Sequence, residues 1–420
     1  GMKSLTDLWS HLLTEMAHQC DSSDLHADIA YACRRVEEEG FSFFAITLPQ
    51  FGSDFERSLE LGYVPSDLFS GFRKRGALPA FMSGLLRRIF DTRGRLLDDA
   101  CPQSVRTVRQ MAYLFKKVEL EPTPERVKAA IKGYEMTDSE LGELNLPLDP
   151  SLSKVFNLLF GDMLSYLDDL IGSFELLGGH GPGAVVEGLV GNQKFNHFDW
   201  PESLDSVLPH GSGLVPNWGH RQSVRLISED QMPPVKVVTV PKTLKGPRII
   251  AVEPTARQYA QQALWRKIPE ALRYARFPNI IGFRDQELNR ELARKGSLDG
   301  SLATLDLSEA SDRVHYDLVQ YLLADFPNVF DFVEASRSSR SLLPDGRVIG
   351  LNKFASMGSA LCFPIEAMVF ATIIAWSVKD QCDPRFSGAS IRVFGDDIII
   401  PTHAAGTLIE MLTHLGLKVN

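Results

Sequence analysis

An α+β fold is what this sequence predicts, and three stretches carry the expectation. In Val393-Phe394-Gly395-Asp396-Asp397-Ile398-Ile399-Ile400, two β-rich apolar runs are joined by a tight Gly-Asp step, which reads as strand, turn and returning strand. Residues 302–305 have strand character as well. Residues 152–177 and 361–378 are long helical patterns, the first amphipathic and the second almost wholly apolar. With 420 residues and 44% hydrophobic content, the chain can bury a large core, divided among two or three subdomains.

In chain order, residues 2–39 read as helical from their acidic and apolar periodicity, and residues 41–48 as a strand. From 54 to 132 the pattern is mainly helical, and the basic clusters Arg73-Lys74-Arg75 and Arg87-Arg88 read as surface charge. The 152–177 helix runs into Gly178-Gly179-His180-Gly181-Pro182-Gly183. That loop lacks the Gly-Lys-Ser/Thr of a P-loop and reads equally well as a structural turn. Residues 190–234, with scattered Pro, Gly, Asn and Asp, read as a loop-rich insertion. Two short strands, 237–240 and 248–252, flank Lys242-Thr243-Leu244-Lys245-Gly246-Pro247. The apolar 361–378 helix carries Glu366, so it reads as a buried helix and not as a membrane span.

Chemistry concentrates near the C-terminal end. Two adjacent carboxylates at the tip of a rigid hairpin repel each other, and a hard divalent cation is the usual resolution. A lone Gly-Asp-Asp is more often an ordinary turn, so its company decides. Asp306 ends the upstream strand, where it can face a neighbouring strand's turn. Asp306, Asp396 and Asp397 together would suit two Mg²⁺ ions about 4 Å apart. Asp312, six residues on, is placed to act as an N-cap for the periodic helix at 314–323. Between the acidic segments, Asn352-Lys353-Phe354-Ala355-Ser356-Met357-Gly358-Ser359-Ala360 is a small-residue loop opening a helix, which lets backbone approach a ligand.

Charge is uneven. The whole chain carries a net −9, which by itself would not point to nucleic acid. Yet residues 235–277 hold nine Lys or Arg against Glu253 and Glu270, a local +7 suited to handling phosphates. The five cysteines contain no Cys-x-x-Cys and the histidines no metal-ligand spacing, so a zinc site is not expected and a reducing compartment is.

Asp306-x5-Asp312, then Ser356-Met357-Gly358 opening a helix, then Gly395-Asp396-Asp397, resembles motifs A, B and C of a viral RNA-dependent RNA polymerase palm. More closely, the chain resembles the replicase subunit of the small positive-strand RNA bacteriophages, the leviviruses. The match also includes Val240-Pro241-Lys242 through Ala251-Val252-Glu253-Pro254, and Gly181-Pro182-Gly183-Ala184.

The resemblance implies a right-hand fold with an RRM-like antiparallel palm sheet. Residues 1–50 would form an N-terminal helical segment and strand, 51–300 the fingers with basic motif F at 236–257, and 301–420 the palm. It implies catalysis through Asp306, Asp396 and Asp397 with Mg²⁺, or Mn²⁺ in its place. Lys242, Lys245, Arg248, Asp312, Ser356, Gly358 and Ser359 would meet the nucleotide, and Arg257, Gly181 and Gly183 the RNA. Partners would be template and product RNA, ribonucleoside triphosphates and, as for Qβ, host elongation factors Tu and Ts. The setting would be the cytoplasm of an infected bacterium, with no membrane. In that family Lys418 falls at the start of motif D, so a thumb is expected to be missing and the chain to be truncated. Motif B also departs from the pattern: Ser359-Ala360 stands where close relatives carry Asn-Gly. A reverse transcriptase and an inactive RNA-binding remnant are the alternatives. Asp312, in place of an aromatic after Asp306, argues against the first.

Overall fold

In a computed structural model, residues 2–19, 25–214, 222–378 and 391–420 are described. The chain divides into two compact units. One comprises residues 1–130 and 239–248, and the other residues 131–238 and 249–420. These limits differ from boundaries at 50 and 300, and the tip of a long hairpin groups with the N-terminal unit.

The first unit is helical around an aromatic core, with helices Met2–His18, His26–Glu39, Leu48–Leu61 and Pro102–Tyr113. The strand expected at residues 41–48 is not there. Phe43–Thr47 is a π-helical turn running directly into the Leu48–Leu61 helix. Phe43, Phe44, Leu48, Phe51 and Phe55 are all buried, so the aromatic run has a helical repeat that continues past Pro49, which is tolerated in a first turn. The Phe51 ring meets those of Phe69 and Phe72 edge-on, with centroids 4.8 and 4.9 Å away, the geometry that aromatic quadrupoles favour. Two buried acids secure strained backbone. Asp28 accepts from the Met82 N–H and Asp54 from the Phe69 N–H, and both donors hold left-handed φ values of 56° and 59°.

The second unit is built on the Pro150–Gly172 helix, which Asp149 caps by accepting the Ser151 N–H at 2.7 Å, with Pro150 at the first position. Against it pack Cys362–Val378, Pro327–Ser336 and Thr255–Ala271. Cys362–Val378 is buried nearly all round, as its continuous apolar character predicts. A three-stranded antiparallel sheet runs Arg392–Phe394, Asp397–Pro401, Leu302–Leu305. The expected strands thus form, with Ile398, Ile399 and Ile400 all buried in the central one. A four-stranded sheet is ordered Val348–Gly350, Arg340–Leu342, Val235–Thr243, Gly246–Val252. Leu307–Ser308 pairs with Lys418–Val419. No helix among the described residues is long and apolar enough to cross a membrane.

Candidate active site

The acidic hairpin closes on the Phe394–Asp397 pair, leaving Gly395-Asp396 as a two-residue turn. Gly395 holds φ +62°, and a Cβ there would lie 2.8 Å from the Phe363 ring, so position 395 requires glycine twice over. Leu305 is paired with Ile398, and the next step of that register sets Asp306 opposite Asp397, on strands about 4.8 Å apart. Asp306 and Asp396 are exposed and Asp397 half-buried.

The backbone therefore brings the three acids to one end of one sheet. Their side chains do not gather in the same way. Asp397 Oδ2 accepts from Gln286 Nε2 at 2.7 Å, and Asp306 Oδ2 from Asn420 Nδ2 at 2.7 Å. Among the described residues no group of three His, Cys, Asp or Glu side chains is arranged as a metal cluster. The expected three-carboxylate cluster is thus present in register and not in side-chain placement. Like charges repel, and the carboxylates of Asp306 and Asp397 each accept from a nearby neutral amide. The donor set remains one that suits a hard cation, and neither amide contact supplies a competing positive charge.

Behind the hairpin lies an acid to which sequence reading gave no role in the site. Glu366, on Cys362–Val378, is buried and accepts from the Ser311 hydroxyl at 2.8 Å. Burial pushes its carboxyl up to about 8. The Ser311 bond opposes the shift, while the charges of Asp396 and Asp312 add to it. A single acid in an otherwise apolar helix was the available signal.

Asp312 is not the helix cap. It lies in the 3₁₀ turn Ser311–Arg313, the helix starts at Tyr316, and His315 Nδ1 accepts the Asp317 N–H at 3.0 Å. Asp312 instead receives Lys353 Nζ at 3.0 Å. Ser356 is buried, and its hydroxyl lies 2.8 Å from the Tyr134 hydroxyl. Gly358 holds φ +128°, and a Cβ there would meet the Ala251 oxygen at 2.0 Å. The loop is stitched to the Gly246–Val252 strand by the Ala251 N–H donating to Met357 O at 2.8 Å. Ser359 Oγ accepts the Leu361 N–H at 3.3 Å, closing the turn into the helix. Of this loop, Gly358 is exposed and Ser359 half-buried.

Lys242, Lys245 and Arg248 are exposed, with no ion pair among the described residues, at the hairpin tip that groups with the first unit. Arg126 holds that tip by donating to Leu244 O at 3.0 Å. Arg257 is a correction. It is buried, donating to Ala335 O and paired with Glu229, so its guanidinium is committed internally and is not offered to RNA. Gly181 and Gly183 are corrected likewise. Their carbonyls accept from the buried Lys194 ammonium at 2.6 and 2.5 Å, with Gln258 Oε1 at 3.1 Å as third acceptor. The carbonyls of the glycine loop thus wrap a buried lysine.

Residues 224–420 match the family model described as RNA replicase, beta-chain. The RNA-directed RNA polymerase subunit beta of Enterobacteria phage SP is 39% identical over 185 residues, covering 44% of this chain and 31% of that protein. The corresponding subunit of Escherichia virus Qbeta is 36% identical, with 44% and 30% covered. The RNA-directed RNA polymerase beta chain of Escherichia phage MS2 is 35% identical, with 44% and 32% covered. The matched part thus spans about a third of the length of these relatives. Among solved structures, the Sicinivirus 3Dpol RNA dependent RNA polymerase aligns at a TM-score of 0.42 and 13% identity, covering 72% of this chain and 69% of that one, a score too low to bear on the site. Over residues 224–420, this chain is similar to the RNA-phage replicase beta chains.

Proposed function

We propose that the chain is the catalytic part of an RNA-dependent RNA polymerase, extending an RNA 3′-OH with ribonucleotides copied from an RNA template. The observation that carries the reading is the register setting Asp306 opposite Asp397, beside a glycine-enforced turn that presents Asp396. In this reading residues 301–420 are the palm and much of 51–300 the fingers of a right-hand polymerase. Template and product RNA and ribonucleoside triphosphates are the partners, with elongation factors Tu and Ts as host candidates. The site of action is the cytoplasm of an infected bacterium.

Asp306, Asp396 and Asp397 would hold Mg²⁺, once Asp306 and Asp397 give up the Asn420 and Gln286 amides. When bound, the metal lowers the pKa of the attacking hydroxyl and neutralises phosphate charge. The chain's own residues do the rest. Lys242, Lys245 and Arg248 supply exposed positive charge for a triphosphate. The close fit of Gly358 on Ala251 fixes the loop floor. Asp312 offers a carboxylate acceptor to a ribose hydroxyl, with Ser359 as a shorter contact where close relatives carry Asn. Base pairing would read the template, leaving the protein to contact phosphates and 2′-hydroxyls.

The test is ribonucleotide incorporation on an RNA template with Mg²⁺. Asp396→Asn, which removes one ligand charge and leaves the basic hairpin alone, should lower incorporation at least about a hundredfold while RNA binding persists. Incorporation that survives the change, or an unaltered chain that incorporates deoxynucleotides as readily, sinks the reading.

A further inference from the structure

We infer that Tyr134 and Lys353 are positioning residues for ribose selection, one tyrosine ring setting the spacing between the Asp312 carboxylate and the Ser356–Ser359 loop. The inference rests on the proposed polymerase reading, in which those two groups meet the incoming sugar.

Lys353 is a charged side chain with no solvent exposure. A buried ammonium persists only where its charge is answered on several sides. Here Asp312 Oδ1 accepts from Nζ at 3.0 Å, and the Tyr134 ring face lies 3.6 Å from the same nitrogen. The Lys353 backbone is held too. Asp138, itself buried, accepts the Lys353 N–H at 3.0 Å and the Asn352 N–H at 3.0 Å. Lys353 thus has little freedom, and Asp312, whose side chain is 21% exposed, is fixed by a partner that cannot move away.

The same tyrosine reaches the loop with its other end. Its hydroxyl lies 2.8 Å from Ser356 Oγ and 3.2 Å from Ser341 Oγ. The ring face therefore locates Asp312 through Lys353, and the hydroxyl locates Ser356. Tyr134 and Asp138 are four residues apart, neighbours on one face of the Pro124–Gly142 helix, so that helix carries both supports. A 2′-hydroxyl is told from a hydrogen by acceptors and donors held at fixed separation. A site built for the hydroxyl leaves groups unpaired when it is missing.

A plainer role also fits the geometry. Tyr316 N–H donates to Asn352 O at 2.9 Å and Phe354 N–H to Val314 O at 2.7 Å, and in that role the Lys353 segment does no more than tether the next helix. A tether, once loosened, would weaken binding of ribo- and deoxynucleotides alike. A positioning network changes their ratio.

The experiment titrates the full chain with GTP and with dGTP, in Mg²⁺ and template RNA, for the unaltered protein, Tyr134→Phe and Lys353→Met, with thermal unfolding alongside. Tyr134→Phe removes one oxygen and keeps the ring over Lys353, so it decides the matter even if Lys353→Met does not fold. The expected result is a preference for GTP that falls roughly threefold to tenfold in Tyr134→Phe, with dGTP affinity nearly unchanged. A preference that survives in Tyr134→Phe, or two affinities that fall together, overturns the inference and leaves the polymerase reading standing. An unaltered chain that binds neither nucleotide, or both equally, overturns both.

Discussion

At the residue scale, the informative groups are those whose chemistry conflicts with their surroundings. Asp396 was legible because two adjacent acids on an apolar hairpin require an explanation. Arg257 and the glycines at 181 and 183 were misread for the opposite reason: charge and glycine content say nothing about which way a group faces. The structure turns Arg257 inward onto Ala335 and Glu229, and the two glycine carbonyls onto Lys194. Glu366 gives a pH prediction. Its carboxyl is pushed up to about 8 in the fold, by burial above all, and has the ordinary glutamate value in the unfolded chain. The folded protein then holds a proton that the unfolded one releases. That contribution is complete below the ordinary glutamate pKa and is lost as the pH rises through about 8. Glu366→Gln has no such proton. Relative to it, the unaltered chain should lose up to about 1.4 kcal/mol of stability per pH unit across that window. Urea unfolding of both proteins in a chelating buffer measures this, and two parallel stability curves would mean that Glu366 is charged in the fold.

At the scale of the element, tight approach explains why one glycine cannot be replaced and another can. Gly358 combines φ +128° with a Cβ position 2.0 Å from a backbone oxygen, so neither rotation nor side-chain adjustment makes room for alanine. Gly358→Ala should cost about 2–4 kcal/mol, because the loop must lift from the Gly246–Val252 strand. Gly350→Ala meets nothing within 4 Å and should stay within about 0.5 kcal/mol. Equal effects in denaturant titrations would show that the loop is not seated as described. The acidic hairpin, its partner strand and the buried Cys362–Val378 helix were all readable, since each has a strong pattern and a definite stop. Residues 41–48 were not, because a short aromatic run fits strand and helix alike and only packing in the first unit decides between them. Asp312 failed as a cap for a related reason. Its partner, Lys353, lies 41 residues away in sequence, and no local pattern reports a buried ion pair of that span.

For the molecule as a whole, in the proposed polymerase reading, charge separates where RNA would bind from where it would not. With a net −9, the average surface repels a polyanion, so binding must concentrate at local positive charge. Lys242, Lys245 and Arg248 are exposed and free of ion pairs among the described residues. Arg257, although part of the same basic stretch, is buried and already paired, so the local +7 read from sequence overstates what RNA would meet. Each lysine or arginine that neutralises a phosphate releases counterions, and for single strands this gives a slope of about −0.7 in log affinity against log salt per contact. Replacing Lys242, Lys245 and Arg248 together by glutamine should therefore flatten the salt dependence of single-stranded RNA binding by about 2. Arg257→Gln should leave that slope unchanged while lowering thermal stability, since it strips the buried Ala335 carbonyl and Glu229 of their partner. Filter binding of a short RNA across a salt series separates the two kinds of arginine. A triple variant with an unaltered slope would place the RNA on some other surface, and a flattened slope in Arg257→Gln would reverse the assignment of that residue.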